Sequence, residues 1–409
     1  MPRPVTRPLP SAIALGLLSQ FLFTFCLGLP SKLLFDEVHY VPAARALLAL
    51  SHPVNIEHPL LGKTLIALGI TMFGDDAIGW RALSTVSGTA TVLGVYAIGW
   101  RLFGSVGTAT FGGLLALLNF TVFVQARIGM LDGFMAALVV LAVAAMLQGT
   151  RDRPMLWWSV GSVLLGLAVG VKWAAMPYLA YAGLAFALIK WRRPDLWPGL
   201  GVVRAGSILA VAGTAAYFVT FAPAFFYAER PLTLETLLPF QLEMYERQTQ
   251  VLAAHPYQSD WWSWALMLRP IWYLYEFTNG AQRGVLLLGN PAVMWGGLIA
   301  VAACLWAAMR DRDPKLAGVA ALWVGSYVIW AIIPKSLGFF YYYYLPSIWL
   351  TVAIAAAAHR FARGPLQGWD EVFLALAVGL FLYFHPILSA SALPGPNAFK
   401  RYAWFDGWV

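Results

Sequence analysis

The sequence predicts an all-α protein that crosses a membrane many times. Of its 409 residues, 60% are hydrophobic and 11% are charged, and the mean hydropathy is +0.69. Soluble domains contain about 45–50% apolar and about 25% charged residues, so this chain has too little polar surface for a water-soluble globule. Its apolar residues also form about eleven runs, each near the roughly 20 residues that a helix needs to span a bilayer. Composition and run length therefore agree on a polytopic membrane protein.

The eleven runs define the predicted transmembrane helices. They lie near residues 10–29, 79–100, 106–125, 131–149, 156–171, 173–190, 204–222, 291–309, 316–334, 339–358 and 371–387. We expect one transmembrane domain over residues 1–409, because no linker-like segment divides the chain. The sequence shows no internal repeat, which argues against transporter folds built from repeated halves.

The basic residues predict the orientation of these helices. The net charge is +8, and Lys and Arg gather in alternate short loops, as is typical of cytoplasmic loops. The N-terminus is then inside, the C-terminus is outside, and two long segments at 31–78 and 223–290 are outside. Amphipathic patterns at 40–50 and 232–254 predict helices lying along the membrane surface. Since the positive charge serves orientation, we expect the bilayer and no nucleic acid as a partner.

Polar residues suited to chemistry fall in the outer segments or at the outer ends of the predicted helices. They are Asp36, Glu37, His58, Lys63, Arg81, Arg127, Asp132 and Lys172. Ionisable groups at helix ends reach water cheaply, but this gives them no reason to gather on one side. We therefore predict an outward-facing site that combines carboxylates with cations.

Two adjacent acids, Asp36 and Glu37, follow the first predicted helix. Neighbouring side chains point about 100° apart on a helix and to opposite faces of a strand, so the two cannot act interchangeably on one substrate atom. We expect one to be a base and the other to have a positioning role. The alternative is a solvated acidic pair after a membrane helix.

Residues 57–63 start a new helical pattern, with Pro59 near its first turn. A helix N-terminus offers free backbone N–H groups, and His58 and Lys63 add positive charge, so this segment predicts an anion site. The alternative is a capped helix start with a lysine that reaches the membrane surface.

Four charged residues flank later predicted helices. Arg81 can bind a phosphate through two parallel hydrogen bonds. Asp132 can orient a lysine, an arginine or a sugar hydroxyl, and an Arg127–Asp132 ion pair is the structural alternative. Lys172 interrupts an apolar run near its outer end, where a lysine beside Trp173 can also reach the surface without a functional role.

The predicted site suits transfer of a sugar from a lipid phosphate. A carboxylate can deprotonate the acceptor hydroxyl, while Arg and Lys stabilise charge on the departing phosphate. Aromatic groups at residues 261–264 and 339–344 favour an aromatic belt at the membrane surface, with stacking on sugars as the alternative.

Nine short segments along the chain carry a family resemblance. They include Phe35-Asp36-Glu37-Val38-His39-Tyr40 and lie at residues 35–40, 58–63, 73–74, 79–81, 127–132, 170–173, 255–259, 268–270 and 289–291. In this order they resemble the protein O-mannosyltransferases, glycosyltransferase family 39 of the polytopic C-type glycosyltransferases. Two features depart from the family: its usual His-Pro-Pro is His58-Pro59-Leu60 here, and the segment 223–290 is too short for the β-trefoil MIR domain of eukaryotic members.

The resemblance implies about eleven spans and an active site that faces outward, and the short segment 223–290 points to an enzyme of bacterial type. We expect this enzyme in the inner (plasma) membrane, with inversion at the anomeric carbon because no covalent enzyme intermediate is invoked. The resemblance also implies a polyprenyl or dolichyl phosphate-linked mannose donor and a protein Ser or Thr acceptor. By position Asp36 is the catalytic base, and Glu37, Arg81 and Lys172 contribute to acceptor positioning or donor-phosphate binding. Arg81 is the favoured phosphate ligand.

Two other functions and one cofactor stay open on the sequence. The chain can instead be a C-type transferase of another sugar, such as an aminoarabinose-like unit, to a glycolipid, or a transporter or flippase for lipid-linked sugars. Asp36, Glu37 and Asp132 can supply oxygen ligands to a divalent metal, although they form no closed ligand set. Cys26 and Cys304 lie far apart in apolar runs, which excludes a disulfide framework or a CxxC metal site.

Overall fold

The computed structural model describes residues 7–333 and 335–409, which form α-helices and one two-stranded hairpin. Residues 1–6 and 334, the last of the run predicted at 316–334, lie outside this part of the chain. The elements are α1 (Pro8–Thr24), α2 (Glu37–Leu48), α3 (Leu61–Phe73), α4 (Ala77–Phe103), α5 (Val106–Leu118), α6 (Phe120–Gln125), α7 (Leu131–Gln148), α8 (Pro154–Val171), α9 (Met176–Arg192), α10 (Val202–Val219), α11 (Leu237–Gln248), α12 (Trp261–Trp264), β1 (Ile271–Thr278), β2 (Ala281–Leu287), α13 (Pro291–Asp311), α14 (Pro314–Val328), α15 (Tyr344–Phe361) and α16 (Trp369–Leu388).

Nine helices in the described residues are long and apolar enough to cross a membrane, some of them together with an adjoining 3₁₀ turn. They are α4, α7, α8, α9, α10, α13, α14, α15 and α16. They coincide with nine of the eleven predicted runs, which confirms the helical polytopic fold class. The other two runs form shorter apolar helices, namely α1 and the pair α5 and α6.

The run predicted at 106–125 is divided at Asn119. This residue has an extended conformation, with φ −73° and ψ 118°, and its side chain accepts a hydrogen bond from the Thr121 amide at 3.4 Å. Its Nδ2 donates to the backbone oxygen and the hydroxyl of Ser347 at 3.3 and 3.2 Å. A fully buried asparagine needs such partners. A hydropathy pattern shows one polar residue in an apolar run and cannot show Ser347.

The described residues divide into two compact units. The first contains the described residues up to Phe35, Gly88–Arg127 and Leu252–Val409. At its centre α15 is almost entirely buried and packs against α5, α13 and α14. A Cβ atom on Gly297 of α13 would lie 2.6 Å from the Cβ of Leu350, so this crossing requires glycine. Small residues at helix crossings are typical of membrane proteins, where lipid supplies no hydrophobic drive for association.

A β-hairpin in the first unit was not predicted. β1 and β2 pair antiparallel, and Thr278 lies opposite Ala281 across the turn Asn279-Gly280. Both turn residues have positive φ, 48° and 73°, as a type I′ turn requires. The sequence analysis expected only helices in the segment 223–290. The Asn-Gly pair between strands rich in aromatic and aliphatic residues was the signal that it missed.

The second unit contains Asp36–Ser87 and Ile128–Val251. In it α8 packs against α7 and α10, and α3 packs against both α7 and α8. A Cβ atom on Gly62 of α3 would lie 2.5 Å from Leu131 and 3.1 Å from Val171. Because these two residues directly precede Asp132 and Lys172, the helix crossing brings the acid and the lysine to one place.

Helices form in both segments where amphipathic patterns were predicted. α2 overlaps residues 40–50, and α11 lies within residues 232–254. Leu238 and Leu242 on α11 are 64% and 67% exposed, whereas Phe240 and Met244 are buried. α11 thus has one apolar face covered by the protein and further leucines on its outer side.

Candidate active site

The adjacent acids have separate environments at the start of α2. Asp36 is the residue before the helix and is partly buried, and Glu37 is the first helical residue and is fully buried. The Asp36 carboxylate is 3.5 Å from the Tyr40 hydroxyl, one turn later. Glu37 makes its hydrogen bonds elsewhere. The structure therefore agrees with the prediction that the two acids cannot act interchangeably.

Glu37 and Arg81 form a buried ion pair. Arg81 donates from Nε to Oε1 and from Nη2 to Oε2 of Glu37, both at 2.8 Å, and neither side chain is exposed. The Gly129 amide donates to Glu37 Oε1, also at 2.8 Å. Two charges buried this deeply stabilise each other only as a pair with further hydrogen bonds. The sequence analysis named Arg81 only as a phosphate ligand, and its pairing with Glu37 was not predicted, because the sequence does not show that Glu37 turns inward.

Asp132 and Lys172 form a second buried ion pair. Lys172 Nζ donates to Asp132 Oδ1 and Oδ2 at 2.9 and 2.8 Å. The two side chains are 3% and 6% exposed. Asp132 lies in the first turn of α7, and Lys172 directly follows α8. Of the roles weighed for Asp132 from the sequence, the structure shows the orientation of a lysine.

Asp36 has an altered proton affinity. Burial raises its pKa from 3.8 to about 6. Lys172, His39 and the Tyr40 hydroxyl lower the pKa, and Asp132 raises it, but burial is the largest effect. At pH 7 the carboxylate is therefore still ionised, yet it binds a proton much more readily than a solvated Asp. A base whose pKa lies near the working pH is suited to proton abstraction.

His58 lies in the loop before α3, and Lys63 lies in the first turn of α3. Lys63 Nζ donates to the backbone oxygens of Val54, Asn55 and His58, the last at 2.8 Å. The His58 ring lies 5.9 Å from the Tyr40 ring. Lys63 is 1% exposed, and the three hydrogen bonds from its Nζ hold the loop.

Arg127 caps the end of α1 within the first unit. Its guanidinium donates to the backbone oxygens of Leu22, Phe23, Phe25 and Cys26 at 2.7–3.3 Å. These carbonyls at the helix end lack an intrahelical partner, which explains a cation at this position. The structure thus gives Arg127 and Asp132 different partners.

The two aromatic groups pack largely with each other in the first unit. Tyr342 stacks on Trp330 with ring centroids 4.5 Å apart, and its ring centroid is 5.8 Å from that of Trp264. Tyr343 is fully buried, whereas Trp262 is 54% exposed. These contacts give Trp264, Tyr342 and Tyr343 an internal packing role, whereas Trp262 fits an exposed belt position.

Asp36, Glu37 and Asp132 were considered as metal ligands from the sequence. Among the residues that the structure describes, no group of three or more His, Cys, Asp or Glu side chains could hold a metal ion. His39 and Tyr40 were not predicted as neighbours of the Asp36 carboxylate. Their spacing of three and four residues from Asp36 places them on the same helix face, and this was the available signal.

Comparisons with known proteins identify the relatives of this chain. The sequence pattern described as dolichyl-phosphate-mannose-protein mannosyltransferase matches residues 57–218, and that of the C-terminal four TMM region of protein-O-mannosyltransferase matches residues 233–408. A polyprenol-phosphate-mannose–protein mannosyltransferase of Mycolicibacterium smegmatis is 26% identical, with 97% of this chain and 91% of the relative covered.

Two solved structures share the fold. The Saccharomyces cerevisiae protein O-mannosyltransferase Pmt1-Pmt2 complex bound to the sugar donor has a TM-score of 0.84 at 12% identity, covering 99% of this chain and 93% of that chain. ArnT from Cupriavidus metallidurans in the apo state has a TM-score of 0.63 at 18% identity, covering 96% of this chain and 67% of that chain.

The fold and the site together define a membrane-embedded glycosyltransferase of the C type. The nine candidate spans among the described residues, the shared fold and the mannosyltransferase relative all support this class. The two sequence patterns cover most of the chain and describe the same group of enzymes. The chain belongs to the protein O-mannosyltransferase family.

Proposed function

We propose that this enzyme transfers mannose from a polyprenyl-phosphate donor to a Ser or Thr hydroxyl of a protein. The reaction takes place on the outer face of the inner (plasma) membrane and inverts the anomeric configuration. The polyprenyl-phosphate mannose donor and the protein acceptor are those in the name of the Mycolicibacterium smegmatis relative. The Ser or Thr hydroxyl is the acceptor group that the family resemblance implies. The outward location is supported by the predicted sidedness, since Asp36 and Lys172 lie at helix ends opposite the basic loops.

The observation that carries the proposal is the position of the Asp36 carboxylate at the start of α2, 3.5 Å from the Tyr40 hydroxyl. Asp36 is a partly buried carboxylate with a pKa of about 6, next to Lys172. The acceptor oxygen attacks the anomeric carbon, Asp36 takes the hydroxyl proton, and the bond between the anomeric carbon and the phosphate oxygen breaks. Polyprenyl phosphate leaves with the electron pair. We assign Lys172 to the departing phosphate, because it is the cation with the largest effect on Asp36.

The other proposed site residues have supporting roles. Glu37 and Arg81 fix the start of α2 beside residue 129, and Lys63 fixes the loop that contains His58. In this proposal their effect on donor and acceptor is indirect. No step of the reaction as written needs a metal, so a divalent ion would add to donor-phosphate binding only.

The test offers the purified enzyme, in lipid nanodiscs, a choice of donors and acceptors. The donors are polyprenyl phosphates that carry mannose, glucose or 4-amino-4-deoxyarabinose, and the acceptors are a Ser/Thr-rich peptide and a lipid A-type glycolipid. We expect mannosylated peptide by mass spectrometry, with the anomeric configuration inverted relative to the donor. Transfer of the amino sugar to the glycolipid would instead establish the alternative enzyme, and donor translocation without any product would establish a transporter.

The control variant replaces an exposed acid remote from the site. Asp152 lies in the turn between α7 and α8 and accepts a hydrogen bond from Gln148. The control variant is Asp152→Asn. We expect it to transfer mannose at the wild-type rate. A parallel reaction with EDTA checks the metal, and equal rates with and without EDTA exclude an exchangeable divalent ion.

A further inference from the structure

We propose that Asp132 is a positioning residue that holds the Lys172 ammonium group by two hydrogen bonds and so leaves the Asp36 carboxylate available as a base. This inference rests on the proposed function, since it concerns the base of that reaction. In it Asp132 touches neither donor nor acceptor. It acts on the reaction through Lys172.

The hold on Lys172 is built into the helix packing. Both oxygens of Asp132 accept hydrogen bonds from Lys172, at 2.9 and 2.8 Å. Each residue directly follows a side chain that packs against Gly62 of α3, namely Leu131 or Val171. Charged hydrogen bonds of this length are stronger than neutral ones, and burial increases their strength further. The lysine is therefore fixed at one carboxylate, although a second carboxylate is close by.

That second carboxylate is Asp36. The following residue, Glu37, accepts a hydrogen bond from the Gly129 amide at 2.8 Å, and Gly129 is three residues before Asp132. This link brings the start of α2 to the start of α7. Within the described part of the chain, the one side-chain hydrogen bond to Asp36 is the long one from Tyr40, at 3.5 Å. A lysine released from Asp132 would find in Asp36 a nearby acceptor.

The charged groups around Asp36 support this division of roles. Lys172 lowers the pKa of Asp36, and Asp132 raises it. His39 and Tyr40 on α2 lower it as well. From α3 and α4, Lys63 faces the backbone oxygens of the loop before α3, and Arg81 faces Glu37. With Asp132 in place, the charge of Lys172 is partly balanced, and Asp36 keeps the proton affinity that a base requires.

The experiment measures kcat/KM for mannose transfer between pH 4.5 and 8 in nanodiscs. For the wild type we expect activity to fall about tenfold per pH unit below pH 6, because the protonated form of Asp36 is inactive. We call this falling part of the pH profile the acid limb and the constant part at higher pH the plateau. Asp132→Asn keeps the side-chain shape but removes the charge. We expect this variant to move the acid limb to lower pH by about 0.5–2 units and to lower the plateau by about tenfold or more, since Asp36 becomes a weaker base.

Three further variants complete the design. Asp132→Glu restores the charge, and we expect its acid limb at the wild-type pH. Lys172→Met removes the opposite charge, so its acid limb moves to higher pH. An unmoved acid limb in this variant would show that Lys172 does not act on Asp36 and would overturn the inference even if Asp132→Asn does not fold. Asp152→Asn changes an exposed acid in a distant turn, and we expect the wild-type profile.

The possible failures are distinguishable. If Asp132→Asn lowers the plateau but leaves the acid limb in place, Asp132 is only structural, and the inference is wrong. If it raises the donor KM alone, Asp132 contacts the donor, and the inference is again wrong. If the wild type itself has no acid limb, Asp36 is not the base, so the proposed mechanism fails and the inference fails with it.

Discussion

The buried Glu37–Arg81 pair predicts how the protein responds to loss of either charge. The perturbation is a set of three variants of similar volume: Glu37→Leu, Arg81→Met and the two combined. In either single variant, one charge stays buried at a position where neither side chain is exposed. In the combined variant no charge is left.

The magnitude follows from the contacts. Glu37 accepts two hydrogen bonds from Arg81 and one from Gly129, all at 2.8 Å. Removal of one partner of such a pair costs about 3–5 kcal/mol, while replacement of both by apolar groups is close to neutral. The Gly129 amide loses its acceptor in Glu37→Leu and in the combined variant, which adds about 1–3 kcal/mol. We therefore expect both single variants to be much less stable than the wild type and the combined variant to recover part of the loss.

Two measurements separate the structural role of Arg81 from a role in donor-phosphate binding. They are thermal unfolding in nanodiscs and the donor KM at a temperature where all variants are folded. We expect unfolding temperatures to fall in the single variants, with a positive coupling between the two sites. If Arg81→Met unfolds at the wild-type temperature and only the donor KM rises, then Arg81 exchanges between Glu37 and the donor phosphate. That result would refute the structural role argued here.

Three other predictions concern the surroundings of the site. Lys63→Met leaves three backbone carbonyls without their hydrogen-bond donor, which should lower the free energy of unfolding by about 2–4 kcal/mol. Proteolysis in the loop at residues 51–60 should then be faster, and wild-type stability would contradict these contacts. Arg127→Met should increase hydrogen exchange at the end of α1 without a change in donor KM, and a raised KM with normal exchange would show donor contact instead. The third prediction uses a protein that lacks Cys26. A cysteine in place of exposed His52 or Thr249 should react with an impermeant thiol reagent from outside, and a cysteine in place of Asp152 should not. The reverse labelling pattern would overturn the predicted sidedness.

The fold could be predicted largely from one-dimensional patterns, because length and hydropathy define a membrane helix without reference to its neighbours. Nine of the predicted runs are candidate spans for this reason. The break at Asn119 depends on Ser347, which is 228 residues away, so no local pattern contains it. The hairpin around Asn279-Gly280 is different, since its turn signal was local and could have been used.

The site could be predicted as a set of residues but not as a set of pairs. Adjacency of Asp36 and Glu37 was enough to show that their roles differ. Which of them turns inward depends on Arg81, and the partner of Lys172 depends on a crossing at Gly62 where no side chain fits. Arg81 and Lys172 are each held by a carboxylate, because charges in a low-dielectric interior need partners that sequence spacing does not reveal.

The central claim is that Asp36 removes the proton from the acceptor hydroxyl. The most direct measurement is the single-turnover rate of mannose transfer from prebound polyprenyl-phosphate mannose to a Ser/Thr peptide, with donor affinity measured separately. Asp36→Asn keeps the size of the side chain but cannot take up a proton at neutral pH. We expect it to bind donor as the wild type does and to transfer mannose about 10²- to 10⁴-fold more slowly. At pH 7 it should unfold at the same or a higher temperature, because burial of the Asp36 charge is costly. A folded variant that binds donor and transfers mannose within about threefold of the wild-type rate, far less than a general base contributes, would contradict the claim.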